Sequence, residues 1–351
     1  MANSAIQSAQ FGVATESQRG VVNGTDARNL VFGGAALGFR NKIINGDMRI
    51  AQRGTSTTNA TSSYVYSLDR WRFYGQSTTG SATVSQQAFT AGQTDVPNEP
   101  EYFLRWDQTV TPGGVVALTQ PIEGVRTFAG QNATLSFWAK ANSARSITVR
   151  LTQNFGTGGS TAVSVTSSSQ ALTTVWQKFT ITFAVPSISG KTIGANNYLD
   201  VLFLDSNLGT FTIDIAQVQL EAGSVATPFE NRPIGTELAL CARYLPVIYG
   251  TLNAAQNAYP AYTQAANSFR VGIPFKVPTR APITSITVSS AAHFGISFNG
   301  GGTSATGISL SYAGTETITL DCTVSSAAIN LPGLFYTSSA SAKIICEGAE
   351  L

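Results

Sequence analysis

Alternation with a period of two constrains this chain most. Leu135, Phe137 and Ala139 alternate with Ser136, Trp138 and Lys140; Ile147, Val149 and Leu151 alternate with Ser146, Thr148 and Arg150. Phe179, Ile181, Phe183 and Val185 alternate with Lys178, Thr180, Thr182 and Ala184, and Phe211, Ile213 and Ile215 repeat the pattern. Successive side chains of a strand point to opposite faces, so each run lays one face on a core and the other in solvent. Tyr198 to Leu204 is apolar on both faces, which predicts a central strand. Gly, Ser, Asn and Thr cluster at 156–160, 167–169 and 194–197 and read as turns. Short alternating strands between such turns predict an all-β fold built as a β-sandwich.

A second β block starts near Asn267. Phe269, Val271, Ile273 and Phe275 alternate with Arg270, Gly272, Pro274 and Lys276; further strands are read at 308–312, 318–324 and 342–346. Pro274 inside a strand pattern predicts an edge or a bulge, and the run 299–302 predicts a hairpin or loop. Between the blocks one short helix is expected. Thr236 is read as its cap, Glu237 lies in its first turn, Leu238, Cys241, Tyr244 and Leu245 follow helical spacing, and Pro246 stops it. The expected organisation is an attachment or oligomerisation segment at 1–40, a sandwich at 41–235, a helical linker at 236–250 and a second, smaller β-sandwich at 251–351, placed distally. No short repeat of the kind a parallel β-helix needs is present.

Only 11% of residues are charged, against roughly 25% in ordinary soluble domains, so Ser, Thr, Asn, Gln and Gly must cover the surface. With 43% hydrophobic residues and a net charge of +2 the chain is not compositionally disordered. No basic run exists, which argues against a nucleic-acid partner. No apolar window long enough for a membrane span is present, and no signal-peptide pattern opens the chain, so accumulation in the cytoplasm of the producing cell is expected. Cys241, Cys322 and Cys346 are far apart and odd in number; they read as reduced, buried thiols.

The chemistry of catalysis is thinly represented. His293 is the one histidine, which excludes an HExxH zinc site and any multi-histidine metal centre. No GxSxG elbow accompanies it. Gly190-Lys191-Thr192 looks like the end of a phosphate loop, but Val185 stands where that motif needs glycine. Asp69, Asp107, Glu123, Asp200 and Asp214 are candidate glycosidase carboxylates, yet no local motif pairs them. No catalytic residue is assigned, and the chain is not expected to be an enzyme.

The aromatic residues fall into two groups. Trp71, Phe73, Phe137, Phe179, Phe183, Phe203 and Phe211 lie on strand periods and read as core. Tyr259, Tyr262, His293, Phe335 and Tyr336 are expected in loops or turns, as contacts to a receptor or glycan or, alternatively, as subunit packing.

Several segments together resemble phage and prophage tail-fibre proteins. Asn41 to Thr55 (NKIINGDMRIAQRGT) is similar to the opening of a domain found there, and Tyr66-Ser67-Leu68-Asp69-Arg70-Trp71 to the segment that follows it. So are Gln120 to Glu123, Leu135 to Lys140, Gln217 to Gly223, Ala226 to Glu230, Arg232-Pro233 and Glu237 to Tyr244; these cover about 41–245. Phe275 to Pro282 and Ala349-Glu350-Leu351 resemble the end domain of the same proteins, and Ala14 to Val22 a shaft repeat. The resemblance implies a jelly-roll domain like a carbohydrate-binding module, usually in homotrimers. It implies a virion tail component adhering to a host glycan or protein, with residues 1–40 docking on other tail or baseplate proteins. Alternatives are a structural connector or decoration protein of the virion, and a glycan depolymerase. Such modules often hold a structural calcium. Here Arg49 stands where their motif has an acid and Met48 where it has an aromatic, leaving Asp47 and Asp214 as the oxygen-ligand candidates; no other cofactor is expected.

Overall fold

The computed structural model describes residues 39–75, 81–207, 209–250, 258–298, 301–327 and 331–351. The attachment segment expected at 1–40 lies, up to residue 38, outside the described residues.

The alternating runs form two antiparallel sheets laid face to face. One has the order Ser56–Asn59, Ala82–Ala88, Tyr102–Gln108, Phe211–Ala222, Asn132–Ala141, Gln177–Ala184. The other has the order Gln170–Leu172, Arg145–Asn154, Tyr198–Asp205, Val116–Glu123, Arg72–Gly75, Val65–Tyr66, with Val163–Thr166 also on Arg145–Asn154. Tyr198–Asp205 is paired on both sides, as its two apolar faces predict, and its outward Leu202 and Leu204 pack with Ala117. Between the sheets Phe137 stacks on Phe179 (centroids 5.3 Å apart) and meets Phe203 edge-on at 5.0 Å; Trp106 meets Phe211 edge-on at 4.9 Å. In Phe211–Ala222 the register shifts between Ala216 and Gln219, with Gln217 at φ 48. This extra residue resets the parity, so Ile213, Ile215, Val218 and Leu220 all reach the core although simple alternation fails across them.

The helix spans Ile234–Ala242 and begins after Pro233, so Thr236 lies inside it and is not its cap. Proline supplies the φ that a helix start needs but no side-chain acceptor. Cys241, Tyr244 and Leu245 are buried as the spacing predicts, whereas Leu238 is exposed.

The second region is all β as well, in a more closed form than two facing sheets. Tyr259–Ala265, Ser268–Pro274, Thr317–Val324, Gly301–Ala313, Phe294–Phe298 and Pro332–Thr337 close into a six-stranded barrel. Closure leaves no free edge on these strands. Val247–Tyr249, Lys343–Glu347 and Ser285–Val288 form a three-stranded sheet packed on the same core. Pro274 is the last residue of its strand and lies beyond Val271, where pairing with Tyr259–Ala265 ends; it therefore costs no ladder bond on that side. The three cysteines are buried and unpaired, and burial pushes the Cys322 and Cys346 thiols up to about 12.

The segments that carry the family resemblance meet at one junction. The Asn41 amide donates to Val218 O while its Oδ1 accepts from the N–H groups of Ile43 and Leu220. Asn45 bonds Ile50 and Asp69 O, and Gly46 lies so close to Val218 that an added Cβ would sit 2.2 Å from its carbonyl oxygen. Asp69 accepts from both N–H groups of Gln52, at 2.6 and 2.7 Å. Arg70, at φ 70, is fully buried; its guanidinium pairs with Glu350 and lies 3.5 Å from the Tyr244 ring centroid. Trp71 is buried and donates to Asn45 O at 3.0 Å. The chain end thus closes on the start of the first domain: Arg53 also reaches Glu350 at 3.4 Å, and Tyr66 and Arg72 both donate to Leu351 O at 2.6 Å.

Beside this junction Arg243 holds Glu123 through two hydrogen bonds of 2.8 and 2.9 Å, and Tyr244 adds one of 3.0 Å. The Arg243 hydrogen bonds hold the Glu123 carboxyl below its usual range. A depressed folded pKa stabilises above the unfolded value, about 4.3 for glutamate, and that contribution is lost as pH falls through the folded value. Asp69, Asp200 and Glu237 are shifted up by burial, so their contributions run the opposite way and do not drive acid unfolding. Wild type is therefore expected to exceed Glu123→Gln in urea stability at neutral pH. The gap should shrink as pH drops below about 4.3; a gap that stays constant down to strong acid would contradict this.

Candidate functional site

The structure disperses the residues expected to contact a receptor. Tyr259 and Tyr262 lie on one barrel strand and Phe335 and Tyr336 on its neighbour, so none of these four is in a loop. Phe335 is fully buried and stacks on Phe294 with centroids 5.5 Å apart; it is core, and its parity points it inward. Tyr336 is half-buried with its ring over Gly295, where a Cβ would come within 2.6 Å of the ring. Tyr259 is half-buried and lines a cleft of about 350 Å³ with Gln52, Leu238, Ile248 and Phe275. His293 ends a 3₁₀ turn and its Nδ1 lies 3.0 Å from Ser289 Oγ. Tyr262 is 56% exposed and is, of the five, the one open to solvent on a sheet surface.

A different set of residues converges on the outward face of the six-stranded sheet of the first domain. Where Leu104, Trp106, Ile213, Ile215, Phe137 and Ala139 point into the core, their neighbours must point out. Register places Arg105, Asp214 and Lys140 in one row across three strands, and Ala216, Trp138 and Lys178 in the next. Arg105 grips Asp214 with two hydrogen bonds of 2.8 and 2.9 Å, and Lys140 Nζ lies 3.8 Å from the same carboxylate. The hydrogen bonds to Asp214 push the Arg105 guanidinium above its ordinary value. Over this polar row lean three rings. Phe89 and Phe103 are 4.8 Å apart, and Trp176 lies 5.3 Å from Phe89 and 5.4 Å, edge-on, from Phe103. The Lys140 ammonium is 5.2 Å from the centroid of Trp176.

Two hollows lie on this face. One, of about 360 Å³, is lined by Arg105, Lys140, Asn142, Thr174, Thr212 and Asp214. The other, of about 280 Å³, has Trp138 beside Ser136, Lys178, Gln217, Pro97 and Phe229. Gln217 is available there because the strand bulge turns it out; its amide donates to Pro97 O at 2.8 Å. The arrangement offers aromatic faces next to fixed donors and acceptors, which suits a ligand that is apolar on one side and hydroxylated at its rim. One signal for this face was present in the alternation: Trp138 occupies a solvent parity between Ser136 and Lys140, where a tryptophan has no structural reason to be.

Of the acidic candidates, Asp107 and Asp214 lie on this face on paired strands, each with its own partner, and the others are engaged elsewhere. Asp69 is held by Gln52, Asp200 by Arg72 and Thr119, Glu123 by Arg243 and Tyr244, and Asp107 by Thr212. Asp214 is occupied by Arg105, and Asp47 pairs with Arg49 while its second oxygen has no hydrogen-bond partner. Calcium takes roughly 6–8 oxygen ligands. Asp47 and Asp214 each face an arginine, and among the described residues no three His, Cys, Asp or Glu side chains cluster to hold a metal, so these residues do not fit a calcium cage. Among the described residues no helix is long and apolar enough to cross a membrane.

No family model and no curated protein matches the chain. Solved structures similar to it include carbohydrate-binding modules and a phage tailspike domain. The family 11 carbohydrate-binding module of Clostridium thermocellum, in complex with a mixed-linked tetrasaccharide, is 13% identical over 49% of this chain and 98% of that one, with a TM-score of 0.30. The enzymatically active domain of tailspike protein 4 of bacteriophage CBA120 is 15% identical over 52% of this chain and 22% of that one, with a TM-score of 0.33. A cyclase from Fischerella sp. is 14% identical over 49% of this chain and 91% of that one, with a TM-score of 0.34. Scores this low carry no functional weight, and the choice among functions rests on the residues.

Proposed function

We propose that the chain is an adhesive component of a bacteriophage tail that binds a host-surface glycan on the outward face of its six-stranded sheet. The observation that carries the reading is the aromatic cluster on the outward side of the sheet, partly exposed Phe89 and Trp176 packed on buried Phe103, beside the Arg105–Asp214 pair, with Trp138 in the next row. Aromatic rings cover the C–H face of a sugar at low entropic cost, and buried Asp214 holds the exposed Arg105 guanidinium in one geometry as a donor to its hydroxyls. The tail assignment is supported by the resemblance of the segments between 41 and 245 to tail-fibre proteins. Adhesion rather than chemistry is supported by the separate engagement of each candidate carboxylate. A homotrimer on the virion would multiply weak single sites, with a gain in avidity of roughly 10²–10⁴.

Purified full-length chain, added in excess, is expected to slow adsorption of the parent virus to its host cells. Undiminished adsorption at saturating protein would contradict an adhesive role and favour a connector buried in the particle.

A further inference from the structure

We infer a second carbohydrate-binding site, for a neutral hexose unit, on the outer wall of the C-terminal barrel around Tyr262, Arg270, Gly272, Tyr312 and Asp321.

Register builds the patch. Arg270 stands opposite Tyr262 on one neighbouring strand and opposite Asp321 on the other; Gly272, two residues on, stands opposite Thr319, which stands opposite Tyr312. All these positions have the parity that faces away from Phe269, Val271, Leu320 and Cys322 in the core. Tyr312 would have pointed inward with Leu310 had the ladder run evenly. The register shifts between Leu310 and Tyr312, and the bulge re-aims the tyrosine outward. The two rings are 56% and 67% exposed, among the most open large hydrophobic side chains of the described residues.

Between the rings lies a fixed polar pair. Arg270 donates to both oxygens of Asp321 at 2.9 and 3.1 Å, and its guanidinium carbon sits 5.3 Å from the Tyr312 centroid. The pair is electrically neutral as a unit. Both side chains are partly exposed, so donors and acceptors left over from the pair can meet vicinal hydroxyls, and the pair offers no uncompensated charge to an anionic group. The floor beside it is Gly272. A Cβ added there would have no atom within 4 Å, and its φ is not in the left-handed region, so neither packing nor backbone conformation requires glycine. Glycine inside a strand weakens it and marks places where something approaches the backbone closely. A bare floor, two open rings and a neutral bidentate pair describe a sugar subsite, independent of the face on the first domain.

The test uses the full chain carrying Trp138→Ala and Trp176→Ala, which removes the proposed site on the first domain, and titrates it with cellohexaose, β-1,4-galactohexaose, α-1,6-mannohexaose and a hyaluronan hexasaccharide. Saturable binding of at least one neutral probe is expected, stronger than that of hyaluronan. Tyr312→Ala, or Gly272→Val to fill the floor, should weaken it at least tenfold at unchanged melting temperature. Failure of every neutral probe to bind, preference for hyaluronan, or binding that both substitutions leave intact would overturn the inference. A change in molar mass by light scattering on Tyr312→Ala would also overturn it, by making the patch a contact between copies.

Discussion

Glu350→Ala is expected to destabilise the protein by about 3–5 kcal/mol, although the residue is next to last in the chain. Its partner Arg70 has a side chain only 1% exposed and cannot return to water without opening the junction. Removing one member of a buried pair leaves the other charge desolvated, which costs more than the pair contributes. Tyr244, packed over the guanidinium, compensates little, since a ring face does not replace a carboxylate hydrogen bond. Arg53 and Arg280, which reach Glu350 through its carboxylate and its backbone, should be less affected because both have other partners. Urea titration reads the loss. The double variant Arg70→Met with Glu350→Leu should recover most of it, because an apolar pair of similar size carries no desolvation penalty. A Glu350→Ala protein as stable as wild type would show that the chain end does not hold the domains together.

The all-β class and the central strand were legible because parity is a local property. Leu135 to Ala139 and Tyr198 to Leu204 place themselves whatever the rest of the chain does. The helix was legible in its buried stripe but not in its start, since Pro233 begins it without the hydroxyl cap that Thr236 suggested. Barrel closure was not legible: which strand pairs with Pro332–Thr337 depends on contacts many residues apart, and Phe335 was misplaced in a loop for that reason. The segments most recognisable as a family only partly overlap the candidate site. Asn45, Asp69, Arg70 and Trp71 are buried and hydrogen-bonded at the junction, with Glu350 paired to Arg70 there, so few residue types fit these positions. The candidate site shares Ser136, Trp138, Lys140, Gln217 and Phe229 with those segments, while Phe89, Phe103, Arg105, Trp176 and Asp214 lie outside them. Asp214 was noticed as an oxygen ligand, but its arginine partner lies 109 residues away and only the register reveals it.

The outward sheet face carries the largest functional effect expected. Trp138, on a strand, and Trp176, in the turn before Gln177–Ala184, are partly exposed and outside the core cluster, so their truncation should leave the fold intact. Central aromatic anchors typically cost about 1–2 kcal/mol or more each when truncated, so the pair together should weaken glycan binding at that face roughly 30- to 700-fold. Host-surface polysaccharide is the probe, immobilised for binding and free in solution for product analysis. Wild-type chain should be retained, Trp138→Ala/Trp176→Ala should lose that retention with an unchanged melting temperature, and no new reducing ends should form with either protein. Retention unaffected by the double substitution, or reducing ends that accumulate with wild type, would contradict an adhesive site on this face.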